Sequence, residues 1–302
     1  MQTLAEIRDG RAEGVDLLTV RSRRTLVHEV QERLGHLGLL DPPVDGDLGP
    51  VSQWAWRTFC ELHGVNDTTR ITAALARDLL AGSADGLYPL DASGYDLASR
   101  ICRSLRAQGY WMARHPDCVN IAYVEGHDPD GPRNTNPIDS YNDLRCIVAV
   151  RHGRPVLLGS WTATTQPGWH YILKPLDGIK DPVKAAAHIA LGQYKAWCVG
   201  QHRGGTPHEA LVQRDRIRVH RDANRDGQRD GDPVFERADY GINQHHGSNS
   251  AGVGKYSAGC LVASQVKGHR EFMAIVKSDA RYLASRSYKF MTAVLGAPEL
   301  LE

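Results

Sequence analysis

The sequence predicts an α+β protein in which a small helical unit precedes a larger, mainly β unit. Three observations predict it. From Leu26 to Gly38 apolar residues recur at helical spacing, and a Pro/Gly-rich turn at residues 42–50 separates this helix from a second amphipathic one. The runs Leu144–Val150 and Pro155–Trp161 flank the turn residues Arg151–Arg154, which is the pattern of a β-hairpin. A long amphipathic stretch at residues 267–284 and an apolar stretch at 288–295 follow. At 302 residues and 41% hydrophobic composition, the chain exceeds one typical domain and has enough apolar surface for a sizeable core. It divides into an N-terminal segment (1–20), a helical domain (21–85) and a larger domain (86–302).

Each element has a local reason. In the second helix Trp54, Trp56, Phe59 and Leu62 supply apolar surface, and both tryptophans are expected to be core residues. Asp45 and Gly46 suit a turn with positive φ, and Gly49-Pro50 starts a helix, so this turn reads as a marker of fold and not as a ligand contact. Residues 92–114 read as a helix with Leu97, Ile101, Leu105 and Tyr110 near one face, and Val119–Glu125 as a strand. After the hairpin, a turn at Thr164–Tyr171, a helix at 183–190, and strands at 210–213 and 217–220 are expected. Asp239–His245 reads as a strand ending in a turn, and Gly247–Gly254 as a flexible loop.

Cys260 closes the run Lys255-Tyr256-Ser257-Ala258-Gly259-Cys260, fifteen positions after His245. A thiol with a pKa near about 8.5 is mostly protonated at neutral pH, so cysteine catalysis needs a neighbouring base or a positive field. His245 or His246 is the expected base, if the glycine-rich loop folds the chain back. The small residues Ser257, Ala258 and Gly259 leave backbone N–H groups open to a developing oxyanion. The alternative is an ordinary buried thiol, the usual state of free cysteine.

Gly241-Ile242-Asn243-Gln244-His245 followed by Ser257-Ala258-Gly259-Cys260 resembles the signature of the L,D-transpeptidase (YkuD-like) family. Thr164–Tyr171 resembles the turn that follows that family's early hairpin. The resemblance implies Cys260 as nucleophile, His245 as base and Gly259 as the close-packed residue before the sulfur. His246 or a nearby carbonyl is expected to orient His245, and Ser257 to hydrogen-bond within the loop. Tyr256, Ala258, Trp169 and Asn243 are the expected substrate-side residues. Independently, the segment from about Thr25 to Leu80, with its Val44-Asp45-Gly46 and Gly49-Pro50 turn, is similar to the three-helix peptidoglycan-binding domain. Together the two resemblances imply a three-helix bundle followed by a sandwich-like, L,D-transpeptidase-type catalytic domain with added helices. They imply bacterial peptidoglycan as the partner.

Two departures shape the expected reaction. The family's histidine two residues before the cysteine is Ala258, and its Arg or Asn two residues after it is Val262. Hydrolysis in the manner of a phage endolysin is therefore expected ahead of cross-link formation or trimming by an L,D-transpeptidase or carboxypeptidase. Two other classes stay open: a zinc-dependent wall peptidase using His202, His208, His245, His246 and Cys260, and a non-catalytic wall-binding protein.

Charge excludes little else. With 36 basic and 35 acidic residues there is no net field to steer the chain to nucleic acid, and the basic cluster Arg21–Arg24 reads as a solvated helix start. No run is long enough for a membrane span, and the start Met1–Asp9 lacks a secretory signal, so holin-type release or dedicated export is expected. Six scattered cysteines without CxxC spacing demand no disulfide. Asp222, Asn224, Asp226 and Asp230 match the first part of a calcium loop, but Pro233 stands at its twelfth position. No cofactor is expected; calcium is the one option the residues raise, and Asx turns explain the same residues without metal.

Overall fold

The computed structural model describes residues 2–16 and 23–301. Met1 and Arg21, which belong to the start and the basic cluster weighed above, lie outside the described residues. The helical unit contains α1 (Leu4–Arg8), α2 (Arg24–His36), α3 (Pro50–Leu62), α4 (Ala73–Ala81) and α5 (Ala84–Leu87). A two-residue strand pair joins β1 (Val15–Asp16) to β2 (Arg70–Ile71). Leu26, Val30 and Leu34 of α2 meet Trp56 and Phe59 of α3 and Leu75 and Leu79 of α4 in one apolar cluster, which also takes in Leu4 and Ile7 of α1. Trp56 is fully buried and donates its indole N–H to the Thr68 carbonyl at 2.9 Å, so it is a core residue. Leu62, expected on the apolar face, is 47% exposed instead, because the α3 core face ends at Phe59 and Cys60.

The turn before α3 is held from within. Gln31 donates to Asp45 Oδ1 at 2.9 Å and accepts from the Gly46 N–H at 2.7 Å. Gly46 has φ +75° against Arg24, a position that only glycine takes without strain.

Among the described residues of the larger unit, eight strands close into a barrel in the order β11-β12-β5-β4-β3-β13-β7-β8. They are β3 (Asn120–Val124), β4 (Asp143–Arg151), β5 (Arg154–Thr164), β7 (Gly192–His202), β8 (His208–Gln213), β11 (Gln244–His246), β12 (Leu261–Ala263) and β13 (Phe290–Leu295). The strand β6 (Ala187–Ile189) pairs with β9 (Ile217–Arg221), which pairs with β10 (Val234–Arg237), in a separate small sheet. The molecule is thus α+β with a mixed sheet: β11–β12 and β13–β3 are parallel, and the remaining barrel pairs are antiparallel. The sheet closes where a sandwich of two layers was expected, because Gln244 of β11 pairs with Leu211 of β8 and leaves no gap between the layers.

Burial on both faces explains the continuous apolar run of β4. Ile147 faces the barrel core, whereas Leu144, Cys146 and Val148 pack under α6 (Leu97–Ala107). That helix is shorter than the expected 92–114, since the Asp96 carboxylate caps its start at Ser99 N and Gly109, at φ +68°, follows its end. The stretch 183–190 is not a helix. Its alanines enter the β6 strand, where pairing with β9 and burial outweigh alanine's helix propensity. The stretch 267–284 divides into α8 (Val266–Lys277) and α9 (Ala280–Ala284), because buried Asp279 accepts from Arg281 N and restarts the helix. A short helix α7 (Trp169–Leu173) follows the turn after β5.

Candidate active site

Cys260 lies just before β12 and Asn243 just before β11, so the parallel ladder sets them side by side; Leu261 N donates to the Asn243 carbonyl at 2.9 Å. His245 pairs with Val262, which puts its Cα about 8 Å from that of Cys260, from a strand spacing of about 4.8 Å and two residues of rise. Strand alternation places Cys260, Asn243 and His245 on one face. The Cys260 sulfur accepts from Asn243 N at 3.4 Å and donates to the Gly241 carbonyl at 3.6 Å. No hydrogen bond joins it to His245 in this state. Burial pushes the thiol up to about 11, although the Asn243 N–H pulls the other way.

The chain around the sulfur is fixed by small groups. Ser257 is fully buried, donates to the Cys260 carbonyl at 2.8 Å and accepts from Gly259 N at 3.2 Å. Gly259 has φ +131°, and a Cβ there would lie 2.7 Å from the Ala187 carbonyl. The turn before α7 packs against the same loop: Gly168 N donates to the Ser257 carbonyl at 2.9 Å, and a Gly168 Cβ would lie 2.1 Å from the Gly254 carbonyl. Asp139 ties both sides, accepting from Gly254 N at 2.7 Å and Trp169 N at 3.2 Å. Trp169 and Tyr256 are each 39% exposed, and Ala258 lines the cavity beside Cys260.

His245 is 2% exposed. Its Nδ1 lies 3.0 Å from the His246 carbonyl. A carbonyl can only accept, so Nδ1 carries the proton and Nε2 keeps a lone pair. That Nε2 is buried without a partner. Burial, with His202 next in weight, holds the imidazole down to about 3. The His246 side chain accepts from Ser248 N at 3.2 Å and does not touch the sulfur; its carbonyl is the part that orients His245.

His245 belongs to a stack of histidines. His202 stacks on it with ring centroids 3.8 Å apart, His208 stacks on His246 at 3.8 Å, and His269 of α8 meets His246 edge-on at 5.4 Å. Asn243 bridges this stack to the sulfur: its side-chain Nδ2 donates to His202 Nδ1 at 3.0 Å, while its Oδ1 accepts from Gln213 N at 3.0 Å. Both ends of the Asn243 amide are therefore engaged within the protein. Of the residues weighed for zinc, the four histidines are brought together as stacked rings and Cys260 stands outside the stack. Among the described residues, no group of three or more His, Cys, Asp or Glu side chains is arranged to hold a metal ion.

The Asp222–Asp230 loop spends its oxygens on its own backbone. Asp222 accepts from Asp226 N at 3.1 Å and Gly227 N at 3.0 Å, Asn224 Oδ1 from Asp226 N at 3.2 Å, and Asp226 Oδ1 from Gln228 N at 2.7 Å. The Asn224 and Asp226 bonds are Asx turns, and Asp222 closes the loop around them. Asp230 is exposed and makes no contact with this set.

The cavity of about 180 Å³ beside Cys260 is walled by α7, β6, the end of β9 and the Tyr240–Ile242 segment. Its charged lining includes Arg221, Arg237 and Lys180, with Asp239 bonded to both Arg237 and Lys180. Sequence reasoning did not single out Arg221 or Tyr240, because a strand-end arginine and a tyrosine carry no motif. It weighed His202 as a metal ligand, not as the ring stacked on His245.

No protein-family model matches the chain, and no curated protein matches it. A solved structure of a fused Zn-dependent amidase/peptidase/peptidoglycan-binding domain-containing protein from Clostridium acetobutylicum ATCC 824 aligns at 12% identity, covering 93% of this chain and 96% of that one. The TM-score of 0.23 is too low for a shared fold, and neither fold nor chemistry transfers from it.

Proposed function

We propose that the chain is a peptidoglycan-active cysteine enzyme that opens a stem-peptide or cross-link amide through a Cys260 acyl-enzyme and releases it with water. The observation that carries this reading is the lone pair of His245 Nε2, fixed by tautomer, buried without a partner and on the same strand face as Cys260. A buried polar atom without a partner is costly, and a base awaiting a proton accounts for it. The wall as substrate rests on the two sequence resemblances, and action there after holin-type release or dedicated export is part of the same proposal.

With the thiol up at about 11 and the imidazole down at about 3, the resting pair is neutral. The proton therefore moves during attack. Rotation of Cys260 away from the Gly241 carbonyl brings the sulfur to Nε2, which takes the thiol proton as sulfur adds to the substrate carbonyl. Ser257 already occupies the Gly259 N–H, so the Cys260 N–H is the donor for the oxyanion. His245 then returns its proton to the leaving amine, and the thioester forms. Water gives its proton to Nε2 and adds to the thioester; the acid leaves and the thiol is restored. An amine in place of water would make the same site a transpeptidase. Val262 is fully buried under the strand pairing and brings no polar group to the acceptor side, which favours water.

Cys260→Ala is expected to cut the release of soluble peptides from purified sacculi by at least about ten-thousandfold, with wild-type activity unchanged by a chelator. Activity lost on chelation and restored by zinc would replace the thiol mechanism with a metal one. Sacculus binding without any peptide release would leave a wall-binding protein.

A further inference from the structure

We infer that the cavity beside Cys260 seats a carboxylate of the acyl donor on Arg221, with the Tyr240 hydroxyl as second donor. The inference rests on the cysteine-enzyme reading above and adds the substrate chemistry to it. Arg221 ends β9 and is 6% exposed. Its Nε donates to Asp181 at 2.8 Å and its Nη1 to the Ala185 carbonyl at 2.9 Å. Nη2 donates to no protein group, and Arg221 lines the cavity. The guanidinium lies over the Tyr240 ring at 5.2 Å, which fixes its plane. Tyr240 lines the same cavity, and its buried hydroxyl lies beside Asp181, the carboxylate that also takes Arg221 Nε.

A guanidinium nitrogen without an acceptor among the described residues calls for one in this small cavity, and a guanidinium edge beside a phenol that can turn from Asp181 suits the two oxygens of a carboxylate. Three basic side chains, Lys180, Arg221 and Arg237, line the cavity with the carboxylates of Asp177 and Asp239, and Asp181 pairs with Arg221 from behind. The site as a whole is therefore neutral, and a carboxylate is held by the guanidinium edge and not by net charge. At about 180 Å³ the cavity takes one residue-sized group, against roughly 300–1,000 Å³ for drug-sized ligands. Ala187 connects it to the sulfur, pairing with Arg221 in the β6–β9 ladder and packing its carbonyl on Gly259. A donor anchored on Arg221 thus presents its neighbouring carbonyl to Cys260.

The test uses the full chain carrying Cys260→Ala, titrated calorimetrically with a free-acid stem peptide and with the same peptide amidated at its carboxylates. The free acid is expected to bind at least about tenfold more tightly. The preference is expected to vanish in Arg221→Gln and to shrink in Tyr240→Phe. Because Arg221→Gln leaves Asp181 buried and unpaired, Arg221→Gln with Asp181→Asn is the second variant, which removes both charges. Equal affinity for the two peptides, or a preference that survives in folded Arg221 variants, overturns the anchor. Cleavage by the wild type separates the two ideas. Turnover without carboxylate preference removes the anchor and keeps the enzyme, whereas carboxylate-dependent binding without turnover keeps the anchor and removes the cysteine mechanism.

Discussion

Cys260 and His245 are each held away from the charged form. The sulfur lies against a carbonyl and one N–H, and the imidazole lies between His202 and the strand, so burial favours thiol over thiolate and imidazole over imidazolium. This differs from a resting thiolate–imidazolium pair, and the difference is measurable. Alkylation of Cys260 by iodoacetamide, resolved by peptide mass spectrometry, is expected to rise about tenfold per pH unit from pH 7 to 9, because only the thiolate reacts. His245→Ala should leave that slope unchanged. A rate that is already flat at neutral pH would mean an ion pair and would sink the neutral-pair mechanism. The sequence made Cys260 and His245 visible as neighbours, because glycine before the sulfur and histidine at a strand end are local patterns. It left open whether the His246 ring or a nearby carbonyl orients His245, since a backbone acceptor leaves no mark in residue type; the contact is with the His246 carbonyl.

At the scale of elements, the readable parts were those set by local pattern, and the misread parts those set by partners. The β4–β5 hairpin and the α2–turn–α3 pair follow their periodicity and turn residues. By contrast β6, β7 and β10 form because other strands accept them: Ala187–Ile189 pairs with β9, and β7 carries Trp197 inward among mixed polar residues. The histidine stack is also a meeting of elements, with His202 and His208 from the β7–β8 end, His245 and His246 from β11 and His269 from α8. His269 faces Arg145 of β4, its Nδ1 3.2 Å from Nη1 and its Nε2 2.8 Å from the Glu209 carbonyl of β8. Arg145 is fully buried, with its guanidinium 4.1 Å from the Phe272 ring and no carboxylate partner among the described residues. Burial, then Arg145, holds His269 down to about 2, and burial holds His245 down to about 3. The sign follows from linkage. Both are neutral when folded, whereas their unfolded forms take up protons below about pH 6.5, so stability is full above that pH and falls as pH drops, by at most about 1.4 kcal/mol per unit for each. Asp143 opposes this, because burial and then Glu125 raise it to about 7 and the folded state binds a proton that the unfolded chain does not. His188, His202 and His246, each held down to about 4 chiefly by burial, act in the same direction, so the histidines outweigh one carboxyl. Unfolding free energy from urea titration is expected to fall by at least roughly 1–3 kcal/mol from pH 7 to pH 5, and less in His269→Asn. Stability that rises on acidification would contradict the neutral stack.

Across the whole molecule, the helical unit is locked onto the barrel by buried polar contacts, and this decides what that unit would contribute under the proposed function. Trp111 donates from its indole to the Gly35 carbonyl at 2.9 Å, and Arg114 N to the Gly38 carbonyl at 3.1 Å. At the centre Asp41, which follows α2 and is fully buried, accepts from the Tyr288 hydroxyl at 3.0 Å. Lys195 Nζ of β7 lies 3.0 Å from its Oδ2, and Arg281 Nη1 of α9 lies 3.6 Å from its Oδ1. A tethered binding domain raises local concentration through its linker. Under the proposed function, a locked one would also fix the direction from which the polymer meets the Cys260 cavity. Asp41→Ala removes the shared anion and leaves Lys195, whose side chain is 17% exposed, facing the junction without its carboxylate. Breaking such a pair costs about 3–5 kcal/mol when fully buried, so a loss toward the lower end of that range is expected here. Arg281 keeps its bond to Asp279 at 2.7 Å, so the barrel itself should persist. Calorimetry is expected to show one transition for the wild type and, in Asp41→Ala, an earlier one for the helical unit and a later one for the barrel. Peptide release from sacculi should fall more than cleavage of a soluble stem peptide, because only the former needs the two units aligned. One transition in Asp41→Ala, with a loss below about 1 kcal/mol, would show that the apolar contacts of α3 and α9 hold the junction without the carboxylate.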